Sequence, residues 1–131
     1  MTDYAKFVSR FLYSKNSDYS DPKVDTKSLL TELTPDEWDY RELEVTIGAH
    51  TIDLDNHFGA VTGILVHFSN TFSGTATTIT VTFTSGSTAC SVDLLKGGTL
   101  ALANVGFDES ANLGLTADVD TGECEIVICG S

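Results

Sequence analysis

Residues 51–58 read Thr-Ile-Asp-Leu-Asp-Asn-His-Phe, placing two carboxylates and an imidazole at alternate positions. Asp53, Asp55 and His57 are residue types that bind a divalent cation or move a proton. Their shared parity sets all three on one face of an extended strand, with neighbours about 7 Å apart. A cation needs ligands converging to about 2.0–2.6 Å, which one straight strand does not supply. The stretch therefore reads first as the wet side of a strand that buries Ile52, Leu54 and Phe58. A metal site there would need a second strand or subunit to complete it.

Other chemistry-bearing groups fare no better. Asp118-Val119-Asp120-Thr121-Gly122-Glu123 begins like a calcium loop. Gly122, Glu123 and Cys129 then occupy the positions that want an acid or amide, a glycine and a glutamate. A tight hairpin with Gly122 at positive φ accounts for the same residues. Glu42 and Glu44 share a strand face, whereas a glycosidase pair flanks its bond from two sides of a cleft. His50 falls in a turn, and His67, beside Phe68, reads as a hydrogen-bonded sheet residue. There is no G-x-S-x-G, P-loop or G-x-G-x-x-G motif. The sequence thus assigns no catalytic residue and asks for no cofactor, and the expectation is a non-enzyme. Cys124 and Cys129 sit five apart in one candidate strand, on opposite faces and about 16 Å apart. With Cys90 they read as reduced thiols.

The elements that carry these residues follow from charge and periodicity. Across 131 residues, seven bases meet 19 acids for a net charge of −12. Residues 1–41 hold six bases and eight acids; residues 42–131 hold only Lys96 against 11 acids, a net of −10. Such a body repels phosphate, so nucleic acid is not an expected partner. No apolar run approaches the ~20 residues of a membrane-spanning helix. No signal peptide is apparent, and an intracellular origin is the simplest expectation.

The chain changes character near residue 41. Before it stand both prolines, the only Trp and all four Tyr. Tyr4, Phe7, Val8, Phe11 and Leu12 recur at i, i+3, i+4, i+7 and i+8, the stripe of a short amphipathic helix. Residues 14–28 read as a polar linker. Thr34-Pro35-Asp36-Glu37 carries a capping-box pattern, followed at once by Trp38 and Tyr40. Beyond residue 41, eight short runs alternate with period 2, separated by glycine-bearing turns. The expected fold is all-β. It is a jelly-roll-like antiparallel β-sandwich over 42–131, with an N-terminal arm over 1–41 carrying the short helix. An immunoglobulin-like sandwich is the alternative, although Trp38 precedes all three cysteines.

Three stretches, GILVHFSNTFSGTATTITVTFTSG, GGTLALANVGF and NLGLTADVDTGECEIVICGS, give the body its acidic, Thr/Gly-rich alternation. In this, and in the apolar-striped arm before it, the chain resembles small β-sandwich virion structural proteins of tailed bacteriophages, of the capsid decoration or cement type. The resemblance implies a place in the virion after assembly in the host cytoplasm. It further implies the major capsid protein or other virion proteins as partners, and a homo-oligomer, with a trimer favoured. No functional residue carries over from it. The residues expected to meet a partner are Tyr4, Phe7, Val8, Phe11, Leu12 and Trp38, because an apolar arm stripe must be covered by its own body or a neighbour. A glycan- or receptor-binding fibre head is the alternative function.

Overall fold

The computed structural model of the protein describes residues 4–10, 12–14, 19–20, 23–33, 37–48, 50–53, 61–69, 74–85, 88–103, 111–119 and 121–130. Twelve strands run through them: β1 (Ala5–Ser9), β2 (Leu12–Tyr13), β3 (Val24–Asp25), β4 (Leu29–Leu33), β5 (Glu37–Val45), β6 (His50–Asp53), β7 (Val61–Phe68), β8 (Thr78–Ser85), β9 (Thr88–Leu95), β10 (Thr99–Ala103), β11 (Ala111–Ala117) and β12 (Gly122–Gly130).

The eight strands from β5 onward form two antiparallel four-stranded sheets, ordered β10-β7-β12-β5 and β6-β11-β8-β9. The pairing is nested: β5 with β12, β6 with β11, β7 with β10, and β8 with β9. Alternation decides which side chains meet between the sheets. Ile64, Val66 and Phe68 of β7 and Cys124, Ile126 and Ile128 of β12 come from the first sheet. Ile79 and Val81 of β8 and Leu113 and Leu115 of β11 answer from the second, in one cluster that gives a β-sandwich-like body. Each fully buried aliphatic or Phe side chain contributes about 1.5–3 kcal/mol.

Two local devices close the body. The Asp118 carboxylate accepts from the Thr77 and Thr78 backbone amides at 3.0 and 3.2 Å and from the Thr77 hydroxyl at 2.5 Å, bracing the entry to β8. Positive φ in the following turn falls on Thr121, at 145°, and not on Gly122 as the sequence suggested. Gly122 instead lies inside β12, where an added Cβ would stand 2.9 Å from Ile79 Cδ1 and 3.2 Å from both Ala76 Cβ and Phe68 Cε1. Glycine is there for room, not for backbone freedom.

The arm differs from expectation. Residues 5–9 and 12–13 are strands, and the described residues contain no helix. β1 pairs with β4 from Ala5↔Leu33 to Ser9↔Leu29, and β2 pairs with β3. A helix of some ten residues is marginal alone. Tyr, Phe and Val also suit a strand, and Leu29–Leu33 supplies the ladder partner that the helix would lack. The supposed linker therefore contains β3. Its Asp25 carboxylate accepts from Arg10 Nε and Nη2, at 2.9 and 2.7 Å, and also from the Lys27 amide and ammonium at 2.8 Å each. These bonds offset the left-handed backbone at Lys27, φ 58°. The capping-box residues 34–36 lie outside the described residues, and Glu37 already opens β5.

Candidate functional site

The side of the β10-β7-β12-β5 sheet that faces away from the core carries two unlike halves. Register places Trp38 beside Cys129 and Tyr40 beside Val127, with Leu65 next across on β7. Continuing along β5 and β12, Glu42 stands directly opposite Glu125, and Glu44 opposite Glu123. An apolar and aromatic half thus runs straight into a square of four carboxylates. Tyr40 joins the halves: its hydroxyl donates to Glu42 Oε1 at 3.3 Å. Desolvation, then the charges of Glu125 and Glu42, push its phenol above the ordinary value.

The two-stranded β1–β4 sheet lies over the apolar half. Phe7 reaches down to Gly63 of β7, where the missing side chain makes room for its ring; a Cβ on Gly63 would lie 3.0 Å from Phe7 Cε2 and Cζ, and 2.8 Å from Cys129 Sγ. Around this contact the two layers stand apart, leaving an open groove of about 1000 Å³ walled by Leu29, Trp38, Leu65, Ala101 and Val127. Strand alternation splits the expected helical stripe. Phe7 turns toward the sheet, whereas Tyr4, 80% exposed, and Val8 face solvent with Leu30, the register partner of Val8. Trp38, 66% exposed, belongs to β5 of the body and not to the arm. Leu12 is part-buried in β2, and Phe11 lies outside the described residues.

No family model matches this chain, and no curated protein matches it. What the molecule can do must come from its own surfaces.

Among the described residues, no three His, Cys, Asp or Glu side chains gather as a metal-binding group. Asp53 ends β6, while Asp55 and His57 lie outside the described residues. His50 opens β6, its Nε2 accepting from the Thr46 amide at 3.2 Å. His67 is the hydrogen-bonded sheet residue expected, its Nδ1 2.6 Å from Thr99 Oγ1 on the neighbouring strand. All three cysteines are free. Burial, and then the charge of Glu123, push the Cys124 thiol up to about 12. Burial likewise raises Cys129, and Cys90 is exposed.

Sequence reasoning missed Tyr40, Leu29, Leu30, Leu65 and Val127. Two signals pointed to them: the alternation of Trp38-Asp39-Tyr40-Arg41-Glu42, and a glycine in the middle of an apolar strand, which marks a close approach.

Proposed function

We propose that this chain is a virion structural protein, a capsid decoration or cement subunit whose body is a jelly-roll sandwich. Its arm and adjoining sheet face bind neighbouring protein subunits. The nested pairing of eight strands, first with last and second with seventh, supports the jelly-roll reading, since that fold is one long hairpin rolled into two sheets. The function rests chiefly on one observation: most of the exposed large apolar side chains lie on the arm or the start of β5, with Tyr4, Val8 and Leu30 on the outer face of the arm and Leu29, Trp38 and Tyr40 on the sheet side. Apolar groups gathered in this way mark a protein-binding surface. Virion proteins, the major capsid protein first among them, are the proposed partners.

The test is direct. Purified protein should co-sediment with shells of its virus, and antibody-gold should decorate intact particles. Changing Tyr4, Val8 and Trp38 together to Ser should abolish both while the circular dichroism of the sheet is kept. Undiminished binding by that variant would refute the proposal.

A second reading is favoured by Trp38 and Tyr40. They are two residues apart on one exposed strand face, about 7 Å from each other. Aromatic groups so placed suit the apolar faces of sugar rings, as in a glycan-binding fibre head. Glycan-array binding that disappears with Trp38→Ala would favour it over cementing.

A further inference from the structure

The square of glutamates restricts what can sit on this face. Glu42 opposes Glu125 and Glu44 opposes Glu123 in register, and like charges directly opposed across strands are unfavourable. Among the described residues none of the four is in an ion pair. An occupant that covers both halves must present apolar groups and a cation along one extended edge.

This chain contains such an edge. Residues 4–10, Tyr-Ala-Lys-Phe-Val-Ser-Arg, hold two bases and no acid. Because Phe7 points to its own sheet, parity puts Tyr4, Lys6 and Val8 on the outer side of β1, all exposed and bordering the open groove, spaced about 7 Å apart. That is also the spacing from Tyr40 to Glu42 along β5. The register partner of Lys6 is Glu32, and no ion pair joins them. The remainder of a second copy is a poor match, because residues 42–131 carry a single base against 11 acids. Body against body would set acid against acid, whereas arm against body sets cation against acid.

We infer that the occupant is a second copy of this chain, seated head to tail: Tyr4, Lys6 and Val8 of one copy lie on Trp38, Tyr40, Glu42 and Glu125 of the next. The inference rests on the reading of the arm as a docking element and adds what it docks on. The two surfaces differ, so each copy both gives and receives, the head-to-tail kind of contact that makes a ring when its rotation closes.

The experiment is the mass of the full chain by light scattering, with sheet circular dichroism as a folding control. Wild type is expected as a closed oligomer that dissociates in high salt. Lys6→Glu alone and Glu42→Lys/Glu125→Lys together should each give folded monomers. The triple variant, which exchanges the signs on both surfaces, should assemble again. A monomeric wild type would overturn the inference, as would variants that keep the wild-type mass or a triple variant that stays monomeric. A wild type that is monomeric but still decorates shells would sink the self-contact and leave the proposed function standing. An oligomer that ignores shells would do the reverse.

Discussion

Phe7 of β1 rests over Gly63 of β7, with the ring 3.0 Å from where a Cβ would begin. This contact keys the arm to the body, so a single methyl group is enough to contest it. Gly63→Ala should cost about 1–3 kcal/mol of stability, the usual range for overpacking. It should also leave residues 5–9 open to limited proteolysis. Combined with Phe7→Ala, the two losses should add only in part, because they share the Phe7 contact while the approach to Cys129 Sγ remains. Denaturant unfolding of the four proteins measures this.

The thiols report the same event. At mildly alkaline pH, native protein should take up one equivalent of alkylating reagent, at Cys90, and three after unfolding. The two buried thiols are held protonated and out of reach. Phe7→Ala or Gly63→Ala should raise the native count to two by uncovering Cys129, with Cys124 still protected. Mass spectrometry of the labelled chain distinguishes the sites.

Acid should loosen the molecule at two carboxylates. The Thr77 hydroxyl first, and the Thr78 and Thr77 amides with it, hold the Asp118 carboxyl down at about 2. A folded value below the unfolded one, about 3.9, means that the contribution is complete above pH 4. It fades as pH falls toward 2. The Asp25 carboxyl is held lower still, by Arg10 and then Lys27, so its share starts to fade at the same pH and goes on fading below the point where that of Asp118 is exhausted. Asp118→Asn should lower the melting temperature at neutral pH and flatten its decline between about pH 4 and 2.

Trp38→Ala should separate surface from core. The indole is mostly exposed, so stability should change by no more than about 0.5 kcal/mol. Binding to shells or to a second copy should fall at least tenfold, the loss expected for a buried aromatic anchor. Parallel melting and co-sedimentation measurements check both halves.

The body was legible because its period-2 runs are bounded by turns; each of the eight expected strands has its counterpart from β5 to β12. The arm was not. Tyr4, Phe7 and Val8 fit a helical stripe as well as a strand, and the choice is made by Leu29–Leu33, a partner more than 20 residues away. The start of β5 was hidden for a different reason. Asp39 and Arg41 occupy core-side parity and are ion-paired with each other, so the usual apolar marks are missing. Charges pointing inward on an edge strand deter further pairing, which is what that position needs. The docking face was half visible: Trp38 was singled out, but the glutamate square depends on register, and composition carries no register.

β12 lies inside its sheet, between β7 and β5. The ladders that β12 makes with both neighbours cannot form until its residues have left the ribosome. Until then β7 and β5 lack the strand between them, and this sheet closes late, through contacts that are mostly distant in sequence. Yield in the cell should therefore respond to chaperone supply and to temperature more strongly than the finished protein's stability would suggest.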